Sequence, residues 1–272
     1  MEYHAIGVGD DDLSLGKDFL AHLAKSSSIP FLSSNVKDEE TKKLLFHQHL
    51  LKEVNGLKIG IFSLLSPDVF LGPSDPRTKG LVFEDPFKTA QEIVREIGPQ
   101  VDLLILLSHL GYQKDIEMAQ KIDGIHLIVG GHTGIDLVNP PIIKNTLILQ
   151  NSSKGMYGRK LNLSYLNKDA PFYNETIREV YQRNLEKYQR QLETKTASEA
   201  ERNQWEKAIK NIKDILDQLP KKNAFRITSL PLSDQFKDDP EILRMIEEYK
   251  SKFPEKIEPP SHDSRGTYKP RL

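Results

Sequence analysis

Apolar positions along the chain follow two repeats, and the switches between them mark the elements. Val101–Leu107 is an almost unbroken apolar run, the pattern of a strand covered on both faces. Ile116, Ala119 and Ile122 then step at helical spacing and predict a helix over Gln113–Ile122, which Asp123-Gly124 ends. Ile125–Val129 is a second apolar strand, closed by Gly130-Gly131-His132-Thr133-Gly134. Upstream, Phe19, Leu20 and Leu23 form one face of a helix over Gly16–Lys25, followed by a strand over Phe31–Val36. Leu45–Val54 and Leu57–Leu65 flank Asn55-Gly56, a strong hairpin signal. Pro67–Gly80 is rich in Pro, Gly and Asp and long enough to suggest the rim of a site. Phe87, Ala90, Ile93, Val94 and Ile97 predict a helix over Pro86–Ile97, and Ile142–Gln150 with Arg159–Leu166 form a closing pair of strands.

After Asn167 the pattern changes. Tyr173, Ile177, Val180, Tyr181, Leu185, Tyr188 and Leu192 step by threes and fours, as do Trp205, Ile209, Ile212, Ile215, Leu216 and Leu219. Ser198-Glu199-Ala200-Glu201 between them is a capping-box signature, so the two runs predict an antiparallel helical hairpin. Glu179/Arg183, Glu186/Arg190 and Glu206/Lys210 are i,i+4 pairs, each worth about 0.3 kcal/mol. The isoleucine stripe is built for burial. The tyrosine stripe tolerates a wet edge and is expected to face a partner or the body of the protein. Phe225–Leu232 reads as a short strand, and Asp239-Pro240 starts a helix with Ile242, Met245, Ile246 and Tyr249 on one face. Residues 254–272, Pro-rich and charged, are expected to be disordered, with His262 idle.

These patterns predict three parts: an α/β domain over 1–166, a helical extension over 167–253 and a tail over 254–272. The length of 272 residues fits one medium domain with an extension. A net charge of −1 gives no general attraction to nucleic acid or acidic membranes. No apolar run is long enough for a membrane span, and Met1-Glu2-Tyr3-His4 shows no signal peptide. With no cysteine in the sequence, thiolate metal sites and disulfides are excluded.

Two histidines stand just past strand ends, His109 and His132. In a parallel sheet, groups at the carboxyl ends of neighbouring strands meet at one edge, so both are candidate metal ligands. His47 and His49 share a strand face far from them and read as solvated, and His126 alternates with the core and reads as packed. Ser108 beside His109 is no nucleophile–base pair, because adjacent residues on an extended segment point apart.

The segments S-H-L-G at Ser108–Gly111 and G-G-H-T at Gly130–Thr133 resemble the calcineurin-like metallophosphoesterases, in the 5′-nucleotidase and 2′,3′-cyclic-nucleotide phosphodiesterase branch. Gly9–Gly16 stands where that branch has G-N-H-E-F-D-x-G; Phe31–Val36 is similar to its P-F-L-S-A-N-V. Asn55–Ile61 is similar to N-G-x-K-I-G, and Asn145–Gln150 with Gly155–Gly158 to N-T-x-I-x-Q and G-x-x-x-G. Residues 3–166 carry the likeness. It implies a two-sheet αββα sandwich, here lacking its first strands, with a helical C-terminal extension. It also implies a divalent ion of the zinc, manganese or iron class, one at most in this chain. By position Asp10, His109 and His132 are the implied ligands, and Asp11 stands at the place of the catalytic histidine. Gly134 replaces the second histidine of the pair, and the D-x-H and G-D-x-x-D motifs are not in the sequence. This leads to the expectation of a fragment of a longer product. The implied activity is hydrolysis of phosphoester small molecules in the complete form, inactive or impaired as this chain, in a periplasmic setting. Nucleotide specificity does not carry over, because 167–272 is too short and helical for the base-clamping domain. The alternative is a non-catalytic scaffold that binds a protein partner, or itself, through the 173–219 hairpin.

Overall fold

A computed structural model of the chain describes residues 3–152, 155–194, 197–233 and 236–253. The strands in order are β1 (Ile6–Gly7), β2 (Phe31–Leu32), β3 (Val36–Asp38), β4 (His49–Val54), β5 (Leu57–Leu65), β6 (Leu81–Phe83) and β7 (Leu103–His109). They continue with β8 (Leu127–Gly130), β9 (Ile142–Ile143), β10 (Thr146–Gln150), β11 (Tyr157–Ser164), β12 (Phe172–Asn174) and β13 (Asn223–Pro231). The helices are α1 (Lys17–Ser26), α2 (Pro86–Ile97), α3 (Tyr112–Lys121), α4 (Glu175–Leu192), α5 (Glu199–Gln218) and α6 (Pro240–Lys252).

A six-stranded sheet in the order β4-β5-β7-β8-β10-β9 carries the main core. Its four central strands run parallel, and β4 and β9 close the edges antiparallel. The apolar run of β7 is buried on both faces because successive side chains point to opposite sides. Leu104 and Leu106 pack with Ile93 and Ile97 of α2 and Met118 and Ala119 of α3. Leu103 and Ile105 pack the other way, with Phe172, Leu161, Leu163 and Phe225 of a three-stranded sheet ordered β11-β13-β12. Each fully buried Leu or Ile contributes about 1.5–3 kcal/mol. On the outer face of the smaller sheet, Arg226 pairs with Glu175 at 3.1 Å and Glu179 at 2.6 Å, both on α4. The fold is therefore a two-sheet sandwich flanked by helices. A second apolar cluster of Val8, Leu13, Leu20, Phe31, Val36 and Leu65 supports β1, β2 and α1.

Several expectations shift. The strand expected from Leu45 starts at His49, because His47 instead exchanges backbone bonds with Phe31 and Ser33 at 3.1 Å each. The β4–β5 turn has Asn55 and Gly56 at φ 52° and 81°, the paired positive angles of a tight hairpin. Ile142–Gln150 is broken into β9 and β10 by a turn at Lys144, φ 52°. Glu179 pairs with Arg226, while Glu186 and Arg190 lie 3.7 Å apart as an i,i+4 pair. The capping box at Ser198 and Glu201 is formed in both directions.

The division expected after Leu166 is not where the compact units separate. Met1–Pro231 forms one unit and Leu232–Leu272 the other. The physical reason is β13, which follows the hairpin and pairs with β11 along eight register positions, from Tyr157↔Pro231 to Ser164↔Ala224. In the hairpin Ile212 is buried, Tyr181 and Tyr188 are half-buried, and Ile177 and Val180 are exposed. In the second unit α6 is capped by the Asp239 side chain, which accepts from the Glu241 and Ile242 amides. The expected disorder of 254–272, with His262, lies outside the described residues. No helix among the described residues is long and apolar enough to cross a membrane.

Candidate metal centre

Asp10, His109 and His132 converge at the carboxyl ends of parallel strands. Asp10 follows β1 in a short loop whose shape is set locally: Asp12 Oδ2 accepts from the Gly9 amide at 2.8 Å, and Leu13 is fully buried behind it. His109 is the last residue of β7, and its carbonyl accepts from the Ser66 amide at 3.2 Å. The ring lies against Gly9, where a Cβ would come within 2.8 Å of His109 Cε1, so only glycine leaves it room. His132 follows β8 on a tight turn at φ 65°.

One donor atom from each of the three lies within 4.8 Å of the others. Asp10 Oδ1 is 2.9 Å from His109 Nε2 and 3.9 Å from His132 Nδ1, and the two rings meet edge to face at 5.1 Å between centroids. A tetrahedral ion with bonds of about 2.0–2.1 Å needs donors roughly 3.3 Å apart, which these two distances bracket. One carboxylate with two imidazoles is a donor set for ions of the zinc, manganese or iron class. Burial, and next the neighbouring His109, hold His132 below the ordinary imidazole range against the pull of Asp10 and Asp11, which favours the neutral form that ligates. The residues fit one ion. This is the one such cluster among the described residues, and His47 and His49 are not in it.

Asp11, expected at the reacting centre, points outward with its side chain 93% exposed. Its partner is Arg77, from the Pro67–Gly80 loop. Arg77 Nη1 donates to Asp10 Oδ2 at 2.9 Å and Asp11 Oδ1 at 3.0 Å, while Nε and Nη2 grip Asp75 at 3.1 and 2.9 Å. The guanidinium also lies 5.2 Å over the Phe70 ring. Asp75 bonded to it sits well below the usual carboxylate range. The rim pattern of the loop pointed to this neighbourhood, but nothing in the sequence singled out Arg77. Gly134 offers no ligand where the family pattern has a histidine. His126 is structural: Nδ1 accepts from the Leu104 amide at 2.9 Å and Nε2 meets the Lys168 carbonyl at 3.3 Å. Burial holds it below the ordinary imidazole range, consistent with a neutral ring.

No family model matches the chain. It is 32% identical over 150 residues to the trifunctional nucleotide phosphoesterase protein YfkN of Bacillus subtilis, covering 51% of this chain and 10% of that protein. It is 33% identical over 132 residues to the NAD 5′-nucleotidase of Haemophilus influenzae, covering 47% of this chain and 22% of that one. Among solved structures, a 5′-nucleotidase precursor from Thermus thermophilus matches with a TM-score of 0.53 and 28% identity, over 61% of this chain and 36% of that one. The chain thus spans between 10% and 36% of the length of these relatives. Over about half of its sequence and in its fold the chain is similar to calcineurin-like phosphoesterases of the 5′-nucleotidase branch, matching only part of their length.

Proposed function

We propose that Asp10, His109 and His132 bind a single divalent ion and that the protein is a metal-dependent hydrolase of phosphoester small molecules. The 272-residue polypeptide alone is inactive or impaired in this reading. The observation that carries it is the convergence of three donor atoms within 4.8 Å. When bound, such an ion supplies Lewis-acid activation of a phosphoester oxygen and of water. Asp10 turns one oxygen to the histidines and the other to Arg77, so its charge is shared between the ion and a guanidinium. Asp11 is a carboxylate at the mouth of the site, which repels an incoming phosphate unless it is protonated or paired, and Arg77 pairs it. That arrangement tolerates an anion but gives no strong proton donor for a leaving group, which supports impairment. The relatives' names make nucleotides the first substrates to test.

Calorimetry with Zn²⁺ on the chain and on His109→Ala tests the site. One ion per chain is expected, and its loss in the variant. Equal binding by both proteins overturns the assignment. Hydrolysis of bis-p-nitrophenyl phosphate with added Mn²⁺ is expected to be negligible, and turnover that His132→Ala abolishes would refute the impaired reading.

A second reading, a non-catalytic relative docking a protein partner or a second copy through the 173–219 hairpin, draws on Ile177 and Val180. These are 42% and 45% exposed on α4. Sedimentation of the wild type against an Ile177→Glu/Val180→Glu variant tests it; a monomer in both, with no partner lost, ends this reading.

A further inference from the structure

His132 is held in a backbone conformation that few residues with a side chain adopt. Its φ is 65°, in the left-handed region, where Cβ crowds the backbone. Across it the Thr133 amide donates to the Gly131 carbonyl at 2.8 Å. An i→i+2 bond over a residue of positive φ is the rarer, strained hand of the γ-turn. Such strain persists only where the surroundings over-determine it.

The surroundings here are dominated by Gln150, the last residue of β10 and 3% exposed. Its Nε2 donates to the Gly131 carbonyl at 2.9 Å and to Thr133 Oγ1 at 2.6 Å. One amide therefore grips both ends of the turn and leaves the residue in the middle free. The orientation of the carboxamide is settled by chemistry, since a carbonyl only accepts and must be met by the nitrogen. The turn is braced from its other side by the Gly131 amide, which donates to the Ser108 carbonyl at 2.7 Å. Gln150 is itself braced: its backbone carbonyl accepts from the Leu137 amide at 3.3 Å and Arg159 Nη1 at 3.0 Å.

We propose that Gln150 is a positioning residue for the ion site. Its carboxamide keeps Gly131–Thr133 in the strained turn, and the turn aims His132 so that Nδ1 stands 3.9 Å from Asp10 Oδ1. Gln150 does not touch the ion. The proposal rests on the reading of Asp10, His109 and His132 as that site. Without the two donated bonds, His132 relaxes to a negative φ, and its ring leaves the other two ligands.

Two variants of nearly constant volume test this on the full chain. Gln150→Glu keeps the shape and has at most one donor, on its protonated form, so it cannot make both bonds; Gln150→Met removes both donors. Two readouts are followed: hydrogen exchange of the Thr133 amide without metal, and affinity for Co²⁺ alone from its visible absorption. Both variants are expected to speed Thr133 exchange at least tenfold and to weaken Co²⁺ binding about 10- to 100-fold, the usual range for lost outer partners of a ligand. Unchanged protection of the Leu104–Leu107 amides certifies that the sheet is intact, and if the Met variant loses it the Glu variant decides. Unchanged Thr133 exchange overturns the proposal, as does wild-type Co²⁺ affinity in the variants when His109→Ala has lost it. Equal Co²⁺ binding by the wild type and His109→Ala overturns the site reading itself, a distinguishable result.

Discussion

Raising the pH is expected to destabilise this protein through one carboxyl group, Asp115 of α3. Its side chain is fully buried, beneath the two loops that carry His109 and His132. Oδ1 accepts from the Ser108 hydroxyl, and Oδ2 has no partner among the described residues. Oδ2 faces Gly130, where a Cβ would lie 2.5 Å away, so the glycine makes room for it. Burial pushes the carboxyl up to about 7 from 3.8, against the smaller opposing pull of the Ser108 hydrogen bond. Between those values the folded protein binds a proton that the unfolded chain has released. Stability is therefore fully present below about pH 4 and is lost as pH rises through about 7. Three units at 1.36 kcal/mol each give a loss of about 4 kcal/mol, a large part of the roughly 5–15 kcal/mol that holds a domain together.

Asp115→Asn removes the titration and keeps an acceptor for Ser108. Urea unfolding of both proteins, followed by circular dichroism with chelator present at pH 5, 6, 7 and 8, gives the comparison. Relative to the wild type the variant is expected to gain about 2.7 kcal/mol between pH 5 and 7, two pH units at 1.36 kcal/mol each, and little more by pH 8. Taking the difference cancels His126 and His132, whose lowered values make stability fall as pH drops below about 6.5. Asp38 and Asp75, held below the usual carboxylate range by Lys17 and Arg77, lose their contribution only below about pH 4, outside this window. A difference that stays constant from pH 5 to 8 would refute the reasoning.

Gly9→Ala should push a Cβ to 2.8 Å from His109 Cε1 and 3.0 Å from Nδ1, shifting the ring and weakening Zn²⁺ binding at least tenfold in calorimetry. The overpacking should cost about 1–3 kcal/mol in thermal melting. Asn223→Ala should cost about 3 kcal/mol in urea unfolding, because buried groups lose their partners. Its Oδ1 accepts from the Leu166 amide at 2.6 Å, and its Nδ2 donates to the Asn167 and Ala170 carbonyls at 2.9 and 2.7 Å. Ser198→Ala should lower stability by about 1 kcal/mol through loss of the capping box, read as a small fall in melting temperature.

What could be read from the sequence, and what could not, divides along the range of the forces involved. Periodicity placed β7, α3 and β8 and put His109 and His132 at strand ends, because side-chain direction follows residue spacing within an element. Asp115 was legible by the same rule and passed over: with Met118, Ala119 and Ile122 it shares one helical stripe, so an acid on the buried face was already implied. Arg77 was not. It reaches Asp10 across 67 residues, and no local pattern tells which of the cations in a chain will fold over a given carboxylate. Gln150 was hidden in a subtler way. A residue at the end of a strand signals its own backbone, whereas its effect here falls on a turn 17 to 19 residues earlier, through an amide no repeat marks. The ligands of a site are selected by chemistry that residue type reveals; the groups that aim them are selected by the space left around a backbone. His109 and His132 are legible as ligands from the strand ends, Asp10 only through the family resemblance, and the guanidinium and the carboxamide beside two of them not at all.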